Sequence, residues 1–231
     1  MGFFWEGLRE AARLVVSGDA ATYHAVWVSF FCTVVAITAA GVLAIPYGAW
    51  LGLFRPRGHR AQVFALRVGM ALPTVVVGLI VFGFLSRRGL LGSLDLLYTQ
   101  AAIIIGQFIL AFPLLGTLAH GAAADLDRRV VETAITLGSG KRRALWAVLG
   151  EVRVAVVAAY LAAFGRCVTE LGIALTVGGN LPMRTRTLPS AATLEVTRGE
   201  FGKALAPGIL LLVLACGAAL VTHRLSREAR S

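Results

Sequence analysis

The chain has 231 residues, 58% of them apolar and 15% charged, with a mean hydropathy of +0.79. Soluble domains average about 45–50% apolar and about 25% charged, so this balance excludes a soluble globule and a disordered chain, and the spread of apolar residues along nearly the whole length excludes a soluble domain on one anchor; one mostly helical domain integral to a membrane remains. The net charge of +10, from 22 basic and 12 acidic residues, would suggest nucleic acid in a soluble protein, but in a membrane chain it points to arginine-rich cytoplasmic loops, and no nucleic-acid partner is expected.

Residues 1–20 set Phe3, Phe4 and Trp5 beside Glu6, Arg9, Glu10 and Arg13. They lack the apolar core of a secretory signal and read as an amphipathic helix lying in the membrane interface. Residues 21–231 read as a single transmembrane domain. Charge-poor stretches place five spans at about 23–53, 62–85, 98–120, 152–169 and 204–223. Pro46, Pro73 and Pro113 fall inside the first three, where neighbouring helices can satisfy the freed backbone groups.

Basic residues orient the spans. One set of loops holds 13 of them, between Arg55 and Arg67, between Arg128 and Arg153, and between Arg224 and Arg230; the other side holds 9. The richer side is expected in the cytoplasm, which puts the N-terminus outside and the C-terminus inside the cell membrane.

Two segments do not read as lipid-facing helix. In residues 121–150, Leu126, Val130, Val131, Ala134 and Leu137 recur at three and four, the pattern of a short amphipathic surface helix. In residues 171–202, Gly178, Gly179, Asn180 and Pro182 interrupt any helix. The apolar run 171–177 is too short to span and is expected to re-enter the bilayer, covered by protein or lining a cavity.

Catalytic constellations are absent, and no metal or cofactor is expected. His24, His59, His120 and His223 stand apart, and Cys32, Cys167 and Cys216 read as small buried hydrophobes. Gly138-Ser139-Gly140-Lys141 imitates the end of a phosphate loop, but Ile135 holds the earlier glycine position and Arg142 follows the lysine. The chain is therefore expected to be no enzyme, and any ATPase must be a separate polypeptide.

Arg166 and Glu170, four apart at the outer end of the fourth span, read equally as an intrahelical pair and as a pair lining a watery path. Arg184, Thr185, Arg186, Thr187, Ser190 and Thr193 make the outer loop cationic and hydroxyl-rich. Such groups suit an oxyanion, but taken alone they read first as a solvated loop held to a partner or to lipid headgroups.

Glu132-Thr133-Ala134-Ile135-Thr136-Leu137-Gly138, followed by Lys141 to Trp146 and Val148-Leu149, resembles the EAA loop of ATP-binding-cassette importer permeases. Thr133 replaces the first alanine, and Gly150 stands where proline is usual. Leu72 to Gly78, Ser86 to Gly92, Phe164 to Arg166, Glu170 to Gly172 and Gly178 to Leu181 are similar to segments of molybdate and tungstate permeases. Val177 to Asn180, Leu194-Glu195 and Ser17 to Asp19 look most like the tungstate type, and Pro189 is closer to the molybdate type. The resemblance implies an all-α type I importer permease fold of about five transmembrane helices. It implies a homodimer, separate ATPase subunits and an extracytoplasmic oxyanion-binding protein. The loop residues Glu132, Thr133, Ala134, Gly138 and Lys141 would couple to the ATPase. Arg166, Glu170, Asn180, Arg184 and Arg186 are the candidates for the translocation path or outer gate. Tungstate is the expected cargo, with molybdate or sulfate next; a channel or secondary transporter is the rival, disfavoured because charges lie only near span ends and the halves show no symmetry.

Overall fold

The computed structural model describes residues 2–126 and 140–228. Among them the regular structure is helical throughout: α1 (Gly2–Ser17), α2 (Ala20–Phe54), α3 (His59–Ala71), α4 (Thr74–Leu85), a 3-10 turn (Gly92–Leu94), α5 (Gln100–Ala124), α6 (Lys141–Glu151), α7 (Arg153–Val168), α8 (Gly172–Thr176), α9 (Leu188–Thr197) and α10 (Phe201–Glu228). Three of these, α2, α5 and α10, are each long and apolar enough to cross a membrane. The pairs α3–α4 and α6–α7 are bent, and counting each as one crossing gives five.

Each expected span thus contains helix, but the second is not one helix through its proline. Leu72 and Pro73 take extended backbone, with ψ of 131° and 127°, and α4 starts afresh at Thr74. A residue before proline is pushed out of the helical region, and proline offers no N–H to continue the ladder. Pro46, Pro113 and Pro207 nevertheless sit inside continuous helices. The run 171–177 holds one turn of helix, α8, with Ile173, Ala174 and Val177 buried. Beyond the glycine-broken stretch the chain resumes as α9. The amphipathic helix expected at 126–137 lies outside the described residues, apart from Leu126.

The chain forms two compact units. The first comprises 1–36, 73–107 and 164–217. Its core takes Ala25, Val28 and Cys32 from α2, Val77, Val81 and Leu85 from α4, Ala102 and Ile103 from α5, and Leu188 and Ala191 from α9. In α2, α4 and α9 the three- and four-residue spacing turns one stripe of the helix inward. Small side chains let elements approach closely: a Cβ on Gly78 would strike the Thr176 hydroxyl, and one on Gly172 would lie 2.9 Å from the Thr74 hydroxyl, so α4 and α8 meet with almost nothing between them.

The second unit comprises 37–72, 108–163 and 218–231. Here α2 and α5 touch backbone to backbone. A Cβ on Gly48 would strike the carbonyl of Gly116, and one on Gly52 would sit 2.7 Å from the carbonyl of His120. In lipid, where burial of apolar surface gives little drive between helices, such close packing is a main source of association. Around the contact lie Ala44, Ala49, Leu115, Ala119 and Ala123. Val148 of α6 and the following Val152 pack onto Ala49 and Ala123, flanked by Leu53, Leu126, Leu145 and Leu149.

This contact makes a signed prediction. Gly48→Ala is expected to destabilise the detergent-solubilised protein by about 1–3 kcal/mol through overpacking. Gly217→Ala, whose added Cβ meets nothing within 4 Å, is expected to be neutral or stabilising by up to about 1 kcal/mol. Thermal unfolding followed by circular dichroism checks both, and equal effects would contradict the close approach.

Candidate functional site

The helix α7 ends at Val168, so Arg166 stands in its last turn, where the helix dipole favours a cation. The chain then turns: Glu170 N–H donates to the Cys167 carbonyl at 3.1 Å, and the Thr169 hydroxyl bonds the carbonyls of Gly165 and Arg166. Glu170 therefore lies beyond α7, and the pair is not an intrahelical one. Arg166 Nη1 donates to Glu170 Oε2 at 2.8 Å, while Glu170 Oε1 accepts from the N–H groups of Gly172 at 2.9 Å and Ile173 at 3.4 Å. One carboxylate thus holds the end of α7 with one oxygen and caps α8 with the other. The Glu170 side chain is 4% exposed and that of Arg166 47%, so the acid is a buried fixture and the guanidinium keeps an open side.

Downstream, residues 177–188 are tied by their own polar groups. Thr185 Oγ1 donates to the Gly178 carbonyl at 2.6 Å and accepts from Leu181 N–H at 3.0 Å. Thr187 and Ser190 form a capping box at the start of α9, and Leu188 N–H donates to Ser29 Oγ of α2 at 2.8 Å. Asn180, in left-handed backbone at φ 50°, donates through Nδ2 to the Ser190 carbonyl at 3.3 Å. Arg186 Nε donates to Asn180 Oδ1 at 3.2 Å and Nη2 to the Asn180 carbonyl at 3.4 Å. The buried hydroxyls of Thr185, Thr187 and Ser190, which as composition suited an oxyanion, are occupied with backbone.

The charges sort in the same way. Glu170 pairs with Arg166, Glu195 with Arg198 at 3.2 Å, and Glu200 with Lys203 at 3.6 Å. Among the described residues, the cations of segment 166–203 left without an acid are Arg184 and Arg186. Arg184 is exposed and joins the network through its carbonyl, which accepts from Gln100 Nε2 at 2.9 Å.

A second loop meets this one within the first unit. Tyr98 N–H donates to the Val177 carbonyl at 2.9 Å, and the Tyr98 ring covers Gly179, where a Cβ would fall 2.6 Å from it. Asp95, Tyr98, Asn180 and Met183 are four of the five non-glycine residues with positive φ among those described. Such backbone costs energy and persists only where surroundings enforce it. Arg87, Asp95 and Tyr98 also line a cavity of about 290 Å³ with Leu85 and Leu97.

The structure therefore unites Arg166 with Glu170, and Asn180 with Arg186, and leaves the Arg184 side chain free. Lys141 opens α6 in the second unit, its Nζ 6.0 Å from the centre of the Phe54 ring. Glu132, Thr133, Ala134 and Gly138 lie outside the described residues. Two residues were missed from sequence. Gln107, 2% exposed, donates from Nε2 to the Cys167 carbonyl at 3.1 Å and so ties α5 to the end of α7; Ser29 anchors α9. Their signal was a polar side chain within an apolar span.

A family model described as the binding-protein-dependent transport system inner membrane component matches residues 44–231. The tungstate uptake system permease protein TupB of Peptoclostridium acidaminophilum is 32% identical over 228 residues, covering 99% of this chain and 100% of that one. TupB of Campylobacter jejuni subsp. jejuni is 30% identical over 227 residues, covering 98% and 95%. The molybdenum transport system permease protein ModB of Escherichia coli strain K12 is 27% identical over 218 residues, covering 88% and 95%.

The pair of buried Glu170 and half-exposed Arg166 yields a double-mutant test. Arg166→Ala strands the Glu170 charge and is expected to cost about 3 kcal/mol. Adding Glu170→Gln, which keeps an oxygen for the α8 amides without the charge, is expected to recover most of that loss. Thermal unfolding of the single and double variants decides it; additive losses would mean that the two side chains do not act as a pair.

Proposed function

The chain belongs to the family of binding-protein-dependent transport system inner membrane components, and on that premise we propose that it is the permease subunit of an ATP-driven importer of tungstate, with molybdate as the alternative cargo. The observation that carries this is similarity to two tungstate permeases over nearly the whole chain, together with the outer motifs around Glu170 and Asn180. The protein is a multi-pass membrane protein, with residues 1–20 at the interface and residues 21–231 acting as one transmembrane domain.

Two copies form the pathway. ATP hydrolysis takes place on separate subunits, which dock on the loop bearing Glu132, Thr133, Ala134 and Gly138 with Lys141 at its end. These residues take that role from the resemblance of Glu132 to Gly138 to the EAA loop, in which a glycine at 138 would allow a turn or close approach that a Cβ would block. The N-terminus faces outside and the C-terminus the cytoplasm. This orientation is supported by the charge asymmetry and by the grouping of segments: those of the basic-poor side fall in the first unit, those of the basic-rich side in the second.

The oxyanion-binding protein docks on the strained loops at 86–98 and 178–186. Exposed Arg87, Arg88 and Arg184 raise the local anion concentration there. Arg166, steadied by Glu170, and Arg186, steadied by Asn180, continue the positive path inward. A doubly charged tetrahedral oxyanion entering a low-dielectric passage needs such compensation. It needs no tight cage, so discrimination among oxyanions rests with the binding protein.

Uptake by the reconstituted complex with its own binding protein is expected for tungstate, then molybdate, ahead of sulfate. Transport of an amino acid or sugar with none of these oxyanions would refute the reading, and a sulfate preference would refute the metal-oxyanion assignment. For the loop, Ser139→Cys in a background without native cysteine is expected to resist an impermeant thiol reagent in intact cells. The same site should react in inside-out vesicles until the ATPase subunits are added. Ready labelling from outside would invert the orientation, and labelling indifferent to the ATPase would remove the docking role.

A further inference from the structure

The helix α6 has two unlike faces. Ala144 and Val148, one turn apart, are 1% and 2% exposed, and Val148 packs against Ala49 of α2 and Ala123 of α5. The opposite face carries Arg142, Arg143 and Trp146. Three- and four-residue spacing puts both guanidinium groups on the same side as the indole, all three residues are exposed, and Trp146 is 58% so. Neither arginine has an ion pair among the described residues.

Three further observations say what covers this face. The helix α6 bends by 72° from α7, so a crossing made along α7 leaves α6 nearer to the membrane plane than to its normal. Tryptophan at the ends of spans is an interfacial residue, and Trp50, next to the Ala49 contact, lies at the same end of the second unit. The exposed cations of that unit between Arg55 and Arg153 outnumber its described acids, Asp125 and Glu151, several-fold. Such a surface complements anionic lipid headgroups, which draw juxtamembrane cations within a Debye length.

We propose that the outward face of α6 is a binding surface for anionic phospholipid, with the headgroup phosphate between Arg142 and Arg143 and the Trp146 indole at the headgroup boundary. This rests on the permease reading only in that the chain spans a membrane. It adds that the helix directly after the ATPase-facing loop is held from one side by protein and from the other by lipid, so that lipid charge conditions the coupling step.

The test uses the full complex in nanodiscs with Trp146 as the sole tryptophan of the permease (Trp5→Phe, Trp27→Phe, Trp50→Phe) and a tryptophan-free ATPase. At equal mole fraction in a phosphatidylcholine background, brominated phosphatidylglycerol is expected to quench Trp146 about twofold more than brominated phosphatidylcholine. Arg142→Gln with Arg143→Gln should abolish the excess, and uptake by otherwise native complexes should rise with phosphatidylglycerol only when both arginines are present. Equal quenching by the two lipids, an excess that survives the arginine changes, or no quenching by either because the ATPase covers Trp146 would each overturn the proposal. Quenching requires no transport, so a chain that fails to carry tungstate still decides the lipid surface.

Discussion

A peptide group at membrane depth has no water to turn to, so wherever the helical ladder is interrupted the protein itself must supply the missing partner. That constraint organises the polar residues of the first unit. The interruption between α7 and α8 is closed by Glu170, which serves two amides and a guanidinium at once. The interruption between α8 and α9 is closed by Thr185, Asn180, Thr187 and Ser190, with Ser29 reaching across from α2. Pro73 meets the same constraint differently, because it removes an N–H at the very residue where the ladder would have broken. The hydroxyls of Thr185, Thr187 and Ser190 are therefore already engaged with this loop's own backbone and caps.

Close approach is the second organising fact. In the second unit Gly48 and Gly52 bring α2 onto the carbonyls of α5, so the two helices act as a rigid pair, and Val148 of α6 is seated on that pair. In the first unit Gly78 and Gly172 bring α4 and α8 together at threonines rather than at bare backbone. Both contacts need the absence of a side chain, and both follow the four-residue spacing of small residues that favours helix association in lipid, Gly48 with Gly52 in the first, Thr74 with Gly78 and Gly172 with Thr176 in the second.

Charge is arranged so that attraction does not become capture. The three acids of the outer segment are each matched to a neighbouring base, which leaves a modest positive excess at Arg184 and Arg186. On the proposed reading, such an excess would draw an oxyanion without enclosing it. The positive excess of the second unit is larger and more exposed, in keeping with the lipid surface proposed for α6.

The sequence by itself determined that the chain is a bundle of membrane helices, about where each lies, and the family through its loop motifs. Those features are set by the solvent, since an apolar run of a given length has one use in a bilayer, and by local patterns such as Glu132 to Gly138. The spacing of Arg166 and Glu170 marked them as partners, but their role followed from where α7 ends, which spacing does not specify. Likewise four prolines look alike in the sequence, and only the structure separates Pro73, where the helix breaks, from Pro46, Pro113 and Pro207, where it continues. Gln107 and Ser29 were ordinary polar residues in apolar runs until packing placed a carbonyl and an amide beside them. Only the tertiary structure decided these points, because a buried polar group's role depends on which unpaired backbone group a distant part of the chain brings within hydrogen-bonding distance.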